Sequence, residues 1–199
     1  MTRPAPGART NEDCLLVGRQ PVPHAVVCDG AGNAGGAAHR ACRLFKQLLA
    51  ATSAQDLAAV ETWLGFLTVL DAHVIGIGES TFIGGAQVDQ RFVGAYAGDS
   101  RAYLWRPNGE VELLTTIASK LRLGSGHAHG QSFSTAVGRG DRVLLLSDGV
   151  WTPFETPARM SVLLSARSHL PLHRLPEAVL DAVTQSGHQD DMTIAIIEA

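Results

Sequence analysis

The chain has 199 residues, 45% of them hydrophobic, which is enough for one sizeable core and too few for two. Sixteen basic residues against nineteen acidic ones give a net charge of −3, with no basic block or aromatic-interleaved stripe, so a nucleic-acid partner is excluded from the expectation. No apolar run reaches the length of a membrane span and the opening MTRPAPGART lacks a secretion signal's apolar stretch, so no membrane partner and a cytoplasmic location are expected.

Residues 1–10 contain two prolines, one glycine and no periodicity, and read as a flexible lead-in to a single domain over 11–199. Strand patterns follow at Cys14–Val17 and His24–Cys28, joined by the turn-like GRQPVP, and predict a β-hairpin. Beyond the glycine-rich GAGNAGG, apolar residues at Ala41, Leu44, Phe45, Leu48 and Leu49 recur at helical spacing. A second helix is predicted by Leu57, Val60, Leu64 and Leu67, with Ser53 and Asp56 as its cap. The period then changes to that of strands in TFIGGAQV, RFVGAYAG, RAYLWR and EVELLT, which together predict an antiparallel meander. Residues 116–140 read as loop with one strand near Ser132–Val137, and Val143–Leu146 is a further strand. Helical patterns run from Pro157 to His169 and from Leu175 to Val183, before a last strand at Thr193–Ile197. The layout is α+β, with paired sheets that helices can cover on both outer faces. The cysteines Cys14, Cys28 and Cys42 form no CxxC pair and are expected to be reduced.

Three of the strands finish alike: HAVVCDG reaches Asp29, FVGAYAGDS reaches Asp99 and RVLLLSDG reaches Asp148. A carboxylate just past a buried strand is rigidly held yet reaches solvent, and an adjacent glycine permits close approach by an ion or substrate. Asp-Gly alone is an ordinary turn dipeptide. Here, however, Glu12 and Asp13 precede the first strand and Asp190 and Asp191 precede the last. Acids from five segments meeting at one sheet end would repel strongly unless cations neutralise them. Carboxylate oxygens without cysteine or obligatory histidine suit Mg²⁺ or Mn²⁺ better than zinc.

RTNEDCLLV, VVCDGAGNAGG, the Gly-Glu-Ser-Thr segment at 78–81, YAGDSRAYLW, DRVLLLSDGVW and QDDMTIAII resemble, in order and over most of the chain, the motifs of the PPM (protein phosphatase 2C) family. The resemblance implies a four-layer αββα sandwich, two antiparallel sheets flanked by helix pairs. It implies a metal-dependent serine/threonine phosphatase with two Mn²⁺ or Mg²⁺ ions at one end of the sandwich, a bridging water as nucleophile, and a phosphorylated protein as substrate, opposed to a bacterial kinase. Asp29 resembles the carboxylate that bridges both ions and Gly30 the residue whose carbonyl binds one of them. Asp148 and Asp190 resemble ligands of the other ion, and Glu12 and Asp13 the acids that hold metal-bound waters. Asp99, with Asp148, resembles the pair that holds a third, weaker ion.

Several positions depart from the family pattern. The substrate-phosphate arginine expected four residues before the motif glutamate is Ala8, with Arg9 one residue closer and therefore the candidate for substrate binding. Asn33 stands in place of a glycine and Asp191 in place of an asparagine. The segment after Leu114-Thr115 is short, so the flap subdomain is expected to be reduced or absent. Ala31 follows Asp29-Gly30, leaving no histidine acid there, and His127 and His129 are the alternatives within the shortened segment. The competing readings are a catalytically weak PPM-like regulatory or partner-binding domain, and another metal-dependent phosphomonoesterase on the same fold.

Overall fold

The computed structural model describes residues 1–8, 10–31, 36–115, 121–128 and 130–199. The first elements are strands β1 (Thr2–Arg3), β2 (Cys14–Gly18), β3 (His24–Cys28) and β4 (Gly30–Ala31), then helices α1 (Gly36–Ala50) and α2 (Val60–Val74). Strands β5 (Glu79–Ser80), β6 (Phe82–Val88), β7 (Arg91–Ala97), β8 (Arg101–Trp105), β9 (Val111–Leu113), β10 (Gln131–Ala136) and β11 (Arg142–Leu146) come next. The chain closes with α3 (Asp148–Trp151), α4 (Pro157–Ser165), α5 (Leu175–Gln185) and β12 (Met192–Glu198).

Two five-stranded sheets result, in the orders β10-β7-β6-β3-β2 and β1-β12-β11-β8-β9, with antiparallel pairing throughout. Their central strands β3, β6, β7, β8 and β11 look largely apolar because both faces are buried, and period-two alternation divides the side chains between layers. In β3, Ala25 and Val27 enter the space between the sheets, while Val26 and Cys28 face α1 and α2. In β11, Val143 and Leu145 face inward, while Leu144 and Leu146 pack under α4 and α5. Three apolar layers therefore separate four layers of structure, the expected αββα sandwich. Phe45, Trp63, Phe66 and Phe82 interlock between the first sheet and its helices, each contributing roughly 1.5–3 kcal/mol of burial. Among the described residues no helix is long and apolar enough to cross a membrane.

Three local expectations are corrected. Within the predicted lead-in, Thr2 and Arg3 pair with Thr193 and Met192, the Met1 amine donates to the Ile194 carbonyl (2.7 Å) and Arg3 pairs with Asp181 (2.9 Å). These contacts cover the otherwise open edge of β12, a tertiary reward that local composition does not reveal. The predicted meander is broken: β6 and β7 form a hairpin in one sheet, and the chain crosses at Gly98 (φ +94°) to place β8 and β9 in the other. That crossover is where Asp99 sits. Ser53 and Asp56 do bond reciprocally, through a backbone N–H to Ser53 Oγ (3.1 Å) and Ser53 Oγ to the carboxylate (2.7 Å), but they lie at the entry to the 3₁₀ turn Asp56–Ala58, and α2 starts after Ala59 with no side-chain cap. The strand pair β4–β5 and the short α3 lie where no periodicity can build up.

Among the described residues between β9 and β10, the regular pairing is one bridge, Ser80 to Leu123. The three cysteines are free thiols that meet at one place, with Cys14 opposite Cys28 in the β2–β3 register and Cys42 bonding to both.

Candidate active site

Asp29 leaves the buried end of β3 and its backbone is fastened on both sides. Its N–H donates to Thr81 Oγ1 (3.1 Å), and its carbonyl accepts from the Thr81 N–H (2.8 Å) and Ser80 Oγ (3.1 Å). Thr81 in turn shares a hydroxyl hydrogen bond with Ser100 (2.7 Å), the residue after Asp99. The crossover carrying Asp99 is thereby tied to the strand end carrying Asp29. Gly30 follows directly and pairs with Ser80.

Asp148 opens α3 at the end of β11. The preceding Ser147 is fully buried; its hydroxyl accepts from the Thr193 N–H (2.9 Å) and donates to Asp13 Oδ2 (2.9 Å), while its own N–H donates to the Thr193 carbonyl (3.0 Å). One serine thus locks the end of β11, the start of β12 and the acid before β2. Asp191 is a second lock: its carboxylate accepts from the backbone N–H groups of Ala5 and Glu12, both at 2.6 Å. Asp190 is exposed beside it and accepts the Asp191 N–H (2.9 Å). Glu12 is half-buried and enters the network through its backbone.

Asp13, Asp29, Asp148, Asp190 and Asp99 therefore converge at one end of the sandwich, and their electrostatics show it. Burial, followed by the charges of Asp13 and Asp148, pushes the Asp29 carboxyl up to about 9, and Asp29 and Asp148 share a hydrogen bond. Burial likewise pushes Asp13 up to about 6, against the lowering effect of its bonds to Thr193 and Ser147. Asp148 is raised by burial first and also by Asp190 and Asp99. Arg122 opposes these acids: its charge lowers Asp29, and its guanidinium lies 3.5 Å from Asp99 Oδ2.

Two buried carboxylate oxygens, Asp13 Oδ1 and Asp99 Oδ1, have no hydrogen-bond partner. Unshared hard oxygens within a proton-hungry acidic cluster fit divalent cations, which are the charges that would relieve both conditions. Among the described residues no group of three or more His, Cys, Asp or Glu side chains is already gathered tightly enough to enclose an ion.

Arg9 and His129 lie outside the described residues, as does Asn33, and His127 is exposed. Ser147, Thr193, Arg122 and Asp71, discussed below, are site-building residues that motif reading passed over. Ser147 and Thr193 do carry a signal, being hydroxyls at the ends of otherwise apolar strands.

The profile of stage II sporulation protein E (SpoIIE) matches residues 24–199. The chain belongs to the SpoIIE family. This is a family of PPM-type phosphatases, in agreement with the motif resemblance. Solved structures share the fold of this SpoIIE-family domain at low sequence identity. The catalytic domain of the serine/threonine protein phosphatase PstP, in complex with two manganese ions, is 19% identical with a TM-score of 0.81, over 100% of this chain and 95% of that one. PppA, a regulatory component of the T6SS in Pseudomonas aeruginosa, is 20% identical with a TM-score of 0.83, over 100% of this chain and 95% of that one. The serine/threonine phosphatase Stp1 from Staphylococcus aureus is 19% identical with a TM-score of 0.83, over 100% of this chain and 92% of that one. A search of curated proteins gives no match.

Proposed function

We propose that this SpoIIE-family domain hydrolyses phosphoserine and phosphothreonine in a protein substrate, using two divalent cations, Mn²⁺ or Mg²⁺, held by Asp29, Gly30, Asp148 and Asp190. The observation that carries the proposal is the Asp29–Asp148 pair, two part-buried carboxyls brought together from different strand ends beside the unpartnered Asp13 Oδ1 and Asp99 Oδ1. Such a pair is costly to keep unless a cation replaces the proton. The fold shared with PstP, whose structure holds two manganese ions, supports the same choice of ion.

Bound there, the ions would lower the pKa of a water and take up negative charge at phosphorus. The chain's own contribution is rigidity and charge. Thr81 and Ser80 hold the Asp29 backbone, so the bridging carboxylate is fixed at its root. Ser147 fixes the root of Asp148 and orients Asp13; Asp13 and Glu12 would hold waters of an ion rather than the ion itself. Asp99, with its unshared Oδ1, is the candidate for a third and weaker ion together with Asp148. The unit that acts is the single domain over 11–199 together with β1 from the preceding residues, which closes the edge of its second sheet. Its substrate is a phosphoprotein of the cytoplasm, phosphorylated by a bacterial serine/threonine kinase.

Hydrolysis of p-nitrophenyl phosphate and of a phosphothreonine peptide, each titrated with Mn²⁺ and reversed with chelator, tests the reading. Metal-dependent turnover of both is expected. Turnover of the small ester with no phosphopeptide hydrolysed would leave a phosphomonoesterase and remove the protein substrate.

A further inference from the structure

Arg122 is placed with more care than a surface arginine needs. Its neighbour Leu123 bridges to Ser80 through two backbone hydrogen bonds (2.8 and 3.1 Å), and Ser80 itself donates to the Asp29 carbonyl. The loop beyond is gathered by one buried acid, Asp71 of α2, which is 7% exposed. Its carboxylate accepts from the backbone N–H groups of Gly124 (2.6 Å), Gly126 (3.3 Å) and Ala128 (3.2 Å). Gly124 has φ +93°, and a Cβ there would stand 2.1 Å from the Gly78 carbonyl oxygen, so the close turn needs a glycine.

All this holds a guanidinium over the acids without binding it tightly. The contact with Asp99 is 3.5 Å, longer than the ~2.7–2.9 Å of a strong charge-assisted bond, and both side chains keep about a third of their surface open (29% and 31%). Other arginines are engaged elsewhere, among them Arg101, which stacks on Trp151 and donates to the Glu155 carbonyl, Arg106, which pairs with Asp141, and Arg142, which pairs with Glu198. A planar fork with a weak partner, beside carboxylates suited to cations, matches the geometry of a phosphate dianion.

We propose that Arg122 holds the phosphate of the substrate, with Asp71 as the positioning residue that fixes its loop. This rests on the metal-dependent phosphatase reading and gives the phosphate a protein ligand within the described residues, independent of Arg9. Cations held by the acids would take up the charge that Asp99 offers Arg122, leaving the fork available to the anion.

The test uses the Mn²⁺-loaded protein and its Arg122→Ala and Arg122→Lys variants. Calorimetry measures Mn²⁺ and inorganic phosphate binding, and steady-state kinetics use a phosphothreonine peptide. Loss of a charged hydrogen-bond partner weakens phosphate binding about tenfold or more in Arg122→Ala, with partial recovery in Arg122→Lys and Mn²⁺ affinity unchanged or tighter. A parallel rise in KM with kcat less affected supports the assignment. Arg122-dependent phosphate binding in a protein that hydrolyses neither the peptide nor p-nitrophenyl phosphate also supports it while removing the phosphatase reading. Phosphate affinity within twofold of the parent in Arg122→Ala, no phosphate binding by the parent, or an equal loss of Mn²⁺ affinity overturns it.

Discussion

Gly149 offers the sharpest perturbation of the site, because it lies between two of the proposed ligands. A Cβ built there stands 1.9 Å from the Asp191 carbonyl oxygen and 3.2 Å from Asp190 Cβ, whereas real Cβ contacts essentially never fall under 3.0 Å. Gly149→Ala must therefore move the Asp190-Asp191 backbone about 1.1 Å away from Asp148, the difference between 3.0 and 1.9 Å. Asp191 resists, since its carboxylate holds the N–H groups of Ala5 and Glu12. A displacement of about 1 Å in reacting geometry costs ~10²-fold in rate. Overpacking of this kind costs about 1–3 kcal/mol of stability. For a domain of this size that lowers Tm by roughly 2–12 °C. The assay is kcat/KM for p-nitrophenyl phosphate at saturating Mn²⁺, beside a thermal melt that shows the variant folded. A folded Gly149→Ala protein within threefold of the parent would refute the claim that Asp148 and Asp190 serve one centre.

Three further outcomes follow from the same network. Ser147→Ala leaves the Thr193 N–H unpartnered in the interior and takes one bond from Asp13 Oδ2, and urea denaturation is expected to show a loss of about 1–3 kcal/mol. Asp71→Ala frees the amides of Gly124, Gly126 and Ala128, so hydrogen exchange at those three rises selectively and KM rises with it. For the metal-free protein, Asp29 (raised to about 9) and Asp13 (raised to about 6) prefer the protonated form when folded. Their stabilising contribution is complete below the ordinary value of 3.8 and is lost as pH rises through about 6 and then 9. Tm without metal should fall from pH 5 to pH 9, the rise in Tm on adding Mn²⁺ should grow over that window, and Asp29→Asn should flatten both trends.

The acids at the strand ends were legible because their signal is local: an apolar run, then Asp beside Gly at Asp29 and Asp148. That they meet was implied by the resemblance of the ordered motifs to the PPM family, and crowded carboxylates then call for cations. The contacts that fix them were not legible, because their partners are distant in sequence or are backbone groups. Asp191 reads as a substitution for asparagine, yet it is the acceptor for two backbone N–H groups far upstream. Asp71 reads as one polar position on an apolar helix, and its role depends on a loop that returns to it. The change of sheet at Gly98 escaped detection because β7 and β8 are both strands, and alternation says nothing about which sheet a strand joins. Thr2 and Arg3 gain their structure from the edge of β12, a partner at the other end of the chain.

The central claim is that Asp29 joins two divalent cations in a phosphatase centre. Mn²⁺-dependent hydrolysis of a phosphothreonine peptide by the parent and by Asp29→Asn tests it most directly. The substitution keeps the shape and the backbone bonds to Thr81 and Ser80 while removing the charge. Turnover that requires Mn²⁺ in the parent and falls by two orders of magnitude or more in a folded Asp29→Asn protein is predicted. Metal-independent turnover, or turnover indifferent to Asp29→Asn, would contradict the account.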